Sequence, residues 1–186
     1  MTRIIAGAAG SVTLRVPKSG TRPTSDRVRE ALFSSLEARD RVDDAAVLDL
    51  YAGTGALGLE AASRGATDVI LVDRASSAAA VCRENAREVK RRLPREVRID
   101  VVAQPALAYL RHTTRTFGLV FIDPPYDVDE QEIADVLVAL VSRLDPDALV
   151  VLERSKRSPE PTWPAGLEPA GKRTYGETIA WEALGR

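Results

Sequence analysis

A chain of 186 residues is long enough for one globular domain with a full hydrophobic core. Its hydrophobic content, 45%, excludes a disordered chain, and no apolar run approaches the roughly 20 residues needed to cross a bilayer. One cysteine, Cys82, and one histidine, His112, exclude an internal disulfide and a His-rich metal site. With no secretion-type apolar stretch in Met1-Thr2-Arg3-Ile4-Ile5, we expect a cytoplasmic, metal-free protein with no membrane partner; nothing in the sequence demands a second subunit, so a monomer is expected.

The net charge of −1 gives no bulk attraction to nucleic acid, but its distribution is uneven. Arg3, Arg15, Lys18, Arg22, Arg27 and Arg29 face a single acid, Asp26, in the first stretch. Arg154, Lys156 and Arg157 form a second group, and Lys172-Arg173 a third. Such clusters are solvated faces unless they converge, in which case they make a phosphate-binding rim.

In chain order, Arg3–Ala6 and Val12–Val16 can pair through the turn Gly7-Ala8-Ala9-Gly10. A helix over Ser25–Leu36 follows, capped by Thr24 or Ser25. Val47–Tyr51 reads as a buried strand and Ala56–Arg64 as a helix stopped by Gly65. Val69–Val72 is a second strand, ending at Asp73, and Ser76 or Ser77 can cap the next helix, which runs to about Arg92 before Pro94. A third strand (Val97–Val102), a short helix (Ala106–Arg111) and a fourth strand (Gly118–Ile122) come next. Asp129–Leu144 is an amphipathic helix with Ile133, Val136, Leu137, Leu140 and Val141 on one face, and Ala148–Leu152 is a fifth strand. Strand–helix alternation needs right-handed crossovers and gives a parallel sheet covered on both faces. Leu167–Lys172 and Thr178–Ala183 flank Tyr175-Gly176 and read as an antiparallel hairpin. The expected fold is therefore α/β and Rossmann-like, a mostly parallel seven-stranded sheet with an antiparallel C-terminal edge hairpin and a small N-terminal hairpin and helix extension. We divide it into residues 1–40, the extension, and 41–186, the main domain.

Gly53-Thr54-Gly55-Ala56-Leu57-Gly58 follows a strand and opens a helix, so its backbone can turn sharply and approach a ligand closely. Asp73 stands twenty positions after Gly53, where a carboxylate can accept from both hydroxyls of a ribose, with Arg74 beside it. Nicotinamide, flavin and S-adenosylmethionine sites share these features. Asp49 favours S-adenosylmethionine: it can meet the cofactor's ammonium, directly or through water, and it would repel a pyrophosphate at the helix N-terminus.

Asp123-Pro124-Pro125-Tyr126 ends the fourth strand, at the edge where open α/β sheets bind ligands. The lone pair of an exocyclic base amine is delocalised into its ring. Hydrogen bonds from its two protons to the Asp123 carboxylate and the Pro124 carbonyl would turn that lone pair towards a methyl donor. Paired prolines hold the acceptors still, and Tyr126 can stack on the extruded base.

Arg22-Pro23-Thr24-Ser25-Asp26-Arg27-Val28-Arg29-Glu30-Ala31-Leu32-Phe33, the run Leu48–Ala61 and Ser63-Arg64-Gly65-Ala66 resemble the RsmD-type 16S ribosomal RNA guanine-N2 methyltransferases. Arg3–Gly7, the Asp123 motif and Lys172-Arg173-Thr174-Tyr175-Gly176 fit the same pattern, so the resemblance spans nearly the whole chain. It implies a class I methyltransferase fold, S-adenosyl-L-methionine as cofactor, and N2 of one guanine in 16S rRNA as substrate, within the small ribosomal subunit or an assembly intermediate. It also implies an N-terminal lobe that grips RNA while Thr24 and Arg27 approach the cofactor. The expected cofactor residues are Asp49, Tyr51, Gly53, Thr54, Gly55, Asp73, Arg74, Gln104, Thr24 and Arg27, and the expected RNA contacts are Arg3, Arg15, Lys18, Arg22, Arg29, Arg154 and Lys156. Gln104-Pro105-Ala106 stands where such enzymes usually carry Gly-Asp-Ala, so Gln104 or backbone has to replace an adenine-binding Asp, with a lower cofactor affinity expected. Tyr51 adds a hydroxyl where phenylalanine is common.

Other readings are methylation of adenine N6 or of protein glutamine, a nicotinamide-dependent dehydrogenase, and a non-catalytic RNA-binding assembly protein. DNA enzymes generally add a target-recognition domain, a glutamine enzyme more usually carries Asn than Asp123, and a dehydrogenase leaves the Asp123 motif without a role. Cys82, His112, Trp163 and Trp181 are read as packing residues.

Overall fold

The computed structural model describes residues 2–16 and 26–186. Its main sheet has seven strands: β3 (Ala46–Leu50), β4 (Asp68–Asp73), β5 (Arg98–Ala103), β6 (Phe117–Ile122), β7 (Leu144–Ser155), β8 (Leu167–Tyr175) and β9 (Thr178–Gly185). Their order is β5-β4-β3-β6-β7-β9-β8, with β9 antiparallel to both neighbours and all other pairings parallel. The order reverses at β3, between β4 and β6, which opens a crevice at the carboxyl ends of β3 and β6.

Both faces of the central strands are apolar, as burial on two sides requires. Val47, Val69, Leu71, Leu119 and Phe121 pack on one side with α1 (Asp26–Glu37), α2 (Ala56–Ser63) and α3 (Ser76–Lys90). Leu48, Leu50, Ile70, Val120 and Ile122 pack on the other with α4 (Ala106–His112) and α5 (Glu130–Val141). Cys82 is buried on the α3 side and Trp181 is buried on the other; His112 ends α4. Among the described residues no helix is long and apolar enough to cross a membrane.

The expected elements are present, with differences at the N-terminal hairpin, the start of α3 and the length of β7. The N-terminal hairpin is reduced to β1 (Thr2–Arg3) and β2 (Thr13–Leu14), because Ile5 N and Ala6 N donate instead to the Glu60 carboxylate at 2.8 and 3.0 Å. The turn then sits on the end of α2: Ala8 N and Ala9 N donate to Ser63, and Gly7 takes φ +77° where a Cβ would lie 2.0 Å from the Ser63 carbonyl oxygen. Neither Ser76 nor Ser77 caps α3; Ala75 holds that place without a side-chain bond, and its N–H donates to Asp73. β7 extends well beyond Ala148–Leu152, since Leu144 pairs with Phe117 and Glu153–Ser155 pair with β9. The caps expected at Thr24 or Ser25 lie outside the described residues.

One helix stop follows its sequence signal, and one helix starts a residue later than the expected Asp129–Leu144 span, which is shortened to Glu130–Val141. Gly65, at φ +120°, ends α2 with Ala66 N donating to Ala61 O and Gly65 N to Ala62 O, a double C-terminal closure. Asp129 caps α5 by accepting from Glu132 N at 2.8 Å. The N-terminal segment shares the α1–α3 core through Ile4, Ala9 and Leu14. It is also bound by a buried charge cluster in which Arg64 donates to Glu60, Glu30 and Glu37 while lying over the Phe33 ring.

Candidate active site

The crevice at the strand ends opens into a cleft of about 960 Å³. It is lined by Asp49, Tyr51, Gly53, Thr54, Asp73, Arg74, Arg27 and the whole run Asp123-Pro124-Pro125-Tyr126. The two motifs read separately in the sequence thus face one space, because β3 and β6 are neighbours in register: Leu50 pairs with Ile122, and Asp123 N donates to Leu50 O at 3.4 Å.

Each wall has a local cause. Past β3 the chain turns through Tyr51 at φ +60°, Gly53 at φ +54° and Gly55 at φ +80°, which aims the start of α2 at the cleft. A left-handed tyrosine is strained, and such residues cluster at functional sites. Its hydroxyl donates to Glu132 Oε1 at 2.9 Å, and burial together with that carboxylate raises its pKa, so it stays a donor. Gly55 itself faces inward: a Cβ there would lie 2.8 Å from Cys82 Sγ, and the residue does not line the cleft. Gly58 does the same for packing, since a Cβ would meet Leu71 Cδ2 at 2.3 Å. Asn85, buried on α3, donates to Thr54 O at 2.9 Å and to Arg15 O, and so fixes the glycine loop to the N-terminal segment.

Carboxylates dominate the floor. Asp49 is buried and its Oδ2 accepts from Gly58 N at 2.9 Å. Burial pushes its pKa up to about 8; the Gly58 bond opposes the shift, and nearby Asp123 and Asp73 add to it. Asp73 accepts from Gly53 N at 2.9 Å through one oxygen and from Ala75 N at 2.8 Å through the other. A carboxylate has about four acceptor positions, so both oxygens can still accept from a ligand. Asp123 is half-buried, Pro124 buried, and Tyr126 stands 64% exposed at the rim.

Some expected site residues are placed or engaged otherwise; Arg29 and Arg154 both line the cleft but are buried in the protein. Gln104 is exposed and does not line the cleft or the smaller recess beside it, which takes Pro105, Ala106 and Leu107 instead. Arg29 is fully buried, with Nη2 donating to Arg3 O at 2.7 Å and to Asp26 at 2.9 Å, so it presents no charge to an outside phosphate. It belongs to the buried stripe Arg29, Leu32, Phe33 and Leu36 of α1, a helical period that its charge disguises. Arg154 is likewise buried, ion-paired to Glu130 and donating to Val128 O at 3.2 Å. Arg3, Arg15 and Lys156 are exposed, each in a surface ion pair, with Asp26, Glu84 and Glu177. Lys18, Arg22 and Thr24 lie outside the described residues.

The sequence reading missed the far wall. Glu153 and Ser155 at the end of β7, and Tyr175 and Thr178 flanking the hairpin turn, also line the cleft. The strand-end rule that found Asp123 would have found Glu153, since β7 is the next parallel strand. The hairpin residues carry no comparable signal.

The chain matches the family described as Conserved hypothetical protein 95 over residues 2–183. It is 36% identical over 176 residues to Ribosomal RNA small subunit methyltransferase D of Escherichia coli (strain K12), covering 94% of this chain and 85% of that one. The solved structure of yhhF from Escherichia coli superposes with a TM-score of 0.85 at 29% identity, over 100% of this chain and 98% of that one. Magnesium protoporphyrin IX methyltransferase from Synechocystis PCC 6803, with bound SAM, gives a TM-score of 0.66 at 14% identity over 90% and 87%, a likeness of fold alone. The family match takes in the N-terminal segment, the carboxylate-floored cleft and nearly all of the C-terminal hairpin, and the chain belongs to the Conserved hypothetical protein 95 family, the RsmD-type methyltransferases.

Proposed function

We propose that this chain transfers a methyl group from S-adenosylmethionine to the exocyclic N2 of one guanine in small-subunit (16S) ribosomal RNA. The observation that carries the reading is the meeting of Asp49, Asp73 and Asp123-Pro124 in one cleft, in a chain whose relative from Escherichia coli is named for ribosomal RNA small-subunit methylation.

The residues present fit the cofactor. Asp49 is held largely protonated near neutral pH by burial and by the two other aspartates, and a cation beside it would relieve that crowding. Asp73 keeps acceptor positions for a ribose, and Gly53 and Thr54 bring the backbone close. A pyrophosphate would instead meet the carboxylates of Asp73 and Asp123, which disfavours a dinucleotide. Once bound, S-adenosylmethionine supplies an electrophilic methyl group on a sulfonium.

The protein's part is to orient the nucleophile. Asp123 and the Pro124 carbonyl accept from the two amine protons, which draws the nitrogen lone pair out of conjugation and points it into the cleft. Pro124 and Pro125 lower the ordering cost of holding both acceptors. Tyr126, exposed at the rim, stacks on the extruded base, and Asp123 or water takes the surplus proton after transfer. Residues 1–40 serve as the RNA-gripping part. Arg3, Arg15 and Lys156 can exchange their surface ion pairs for phosphates, because such pairs are worth only about 0–1 kcal/mol in water. Arg27 is exposed and lines the cleft, where it can approach the cofactor or a phosphate of the entering nucleotide.

The test is methyl transfer from labelled S-adenosylmethionine to naked rRNA, to small subunits lacking the modification and to DNA, with nucleoside analysis. N2-methylguanosine from a ribosomal substrate is expected. Label in methyladenine or in protein would refute the substrate while keeping the chemistry.

A further inference from the structure

Beside the cleft lies a recess of about 260 Å³, and the two share Tyr51, Asp73 and Arg74. Its remaining walls are Val72, Pro105, Ala106 and Leu107, which are apolar, and Glu132. Asp73, the ribose acceptor of the proposed function, stands at the junction, which would direct the group carried by that ribose into the recess. Flat apolar walls suit a heterocycle. The recess then needs a polar group to read the heterocycle's edge, and Pro105 offers neither an N–H nor a side-chain acceptor. Among the described residues, Glu132 is the one carboxylate in the recess besides Asp73.

Glu132 is also held in a defined orientation. Its backbone N–H is fixed by the Asp129 cap at 2.8 Å, at the first turn of α5. Its Oε1 accepts from Tyr51 Oη at 2.9 Å, across 81 residues of sequence. Tyr51 in turn is set by its left-handed backbone, φ +60°, at the end of β3. Strain at one residue thus delivers a hydroxyl that occupies one carboxylate oxygen and leaves the other to act as an acceptor in the recess.

We infer that Glu132, oriented by Tyr51, stands in for the acid that Pro105 lacks and accepts from the exocyclic amine of the cofactor's adenine in this recess. This rests on S-adenosylmethionine being the cofactor. It makes Glu132 a specificity-determining residue: an amine donates to it, whereas a 6-oxo group would set an oxygen against a carboxylate. Because Tyr51 donates to one end of the side chain, Glu132→Gln should keep its amide oxygen towards Tyr51 and turn its NH₂ into the recess. The acceptor becomes a donor, with no change in size.

The experiment compares S-adenosylhomocysteine with its deaminated 6-oxo counterpart by calorimetric titration of wild type, Glu132→Gln and Tyr51→Phe/Glu132→Gln. Wild type should prefer the amino form by at least about tenfold, the scale of one lost hydrogen bond in a half-buried site. Glu132→Gln should lose at least about tenfold towards the amino form and gain towards the 6-oxo form, so that the preference narrows or inverts. Removing the Tyr51 hydroxyl as well frees the amide to flip and should restore part of the amino preference. A wild-type preference unchanged in Glu132→Gln overturns the assignment. Failure of wild type to bind the amino form at all refutes the cofactor reading and takes this subsite with it. Pro105→Asp should bring no gain in affinity, since it adds a second acid beside an acceptor already present.

Discussion

Asp49→Asn should make the free protein more stable while it weakens cofactor binding. The side chain is buried, and its carboxyl is raised from 3.8 to about 8. A carboxyl raised on folding adds most stability below its unfolded value, and that contribution is lost as pH climbs towards the folded value. Each pH unit in that window costs about 1.4 kcal/mol, a ceiling of about 6 kcal/mol by pH 8. Water in the open cleft screens part of this, and we expect about 2–4 kcal/mol at pH 8. Asparagine keeps the acceptor for Gly58 N–H and does not titrate, so it escapes the loss. Urea unfolding of both proteins at pH 5 and pH 8 measures it. The advantage of Asp49→Asn should grow by about 2 kcal/mol or more between the two. A difference that stays constant with pH, or a variant less stable at pH 8, would refute the burial-and-crowding account of this site. Titration with S-adenosylmethionine should show the variant binding at least about tenfold more weakly, because the neutral amide cannot pair with an ammonium.

Three further outcomes follow from the same geometry. Asp123→Ala should abolish methyl transfer, by at least about a thousandfold in kcat, while cofactor affinity measured by titration stays within about threefold; equal loss of both would make Asp123 a cofactor or folding residue. Glu60→Ala should cost about 3–5 kcal/mol in urea unfolding, since it leaves Arg64 short of a buried partner and strips Ile5 N and Ala6 N of their acceptor; a loss below about 1 kcal/mol would show that the N-terminal segment is not held through α2. Arg15→Ala with Arg27→Ala should lower the slope of log affinity for rRNA against log salt by about 0.7 per arginine, and an unchanged slope would remove both from the phosphate contacts.

The sequence revealed most clearly what is local along the chain. Strand–helix alternation, the Gly53–Gly58 loop and the Gly65 stop each depend on a few consecutive residues, and all are present in the fold. The Asp123 motif falls beside the glycine loop because a parallel sheet puts the carboxyl ends of its strands together. Features set by distant contacts were illegible. Tyr175 and Thr178 reach the cleft only because β9 pairs antiparallel with β7, a register that no short motif encodes. The hairpin at residues 2–14 is short because Glu60, far along the chain, takes the N–H groups that would have extended it. Arg29 and Arg154 mislead through their charge: both occupy positions whose helical or strand period faces the core, and each is held there by hydrogen bonds and an acid, Asp26 or Glu130. Gln104 misleads by one position, since the chain turns at Pro105 (φ −58°, ψ 142°) and presents Pro105–Leu107 to the recess.

The distribution of charge in the cleft ties these points together. Asp49, Asp73 and Asp123 crowd the floor, while the cations Arg27 and Arg74 are exposed and the buried cations Arg29 and Arg154 are already engaged by other groups. Such a floor is unfavourable for the free protein, as the raised Asp49 shows, and equally unfavourable for a phosphate. A ligand that carries an ammonium and a sulfonium removes both objections at once. Under the proposed function such a floor would favour a cation and disfavour RNA phosphates, so that only an uncharged base would need to enter. On that reading a net charge of −1 is compatible with an anionic substrate, because the acids that set the total include those inside the cleft.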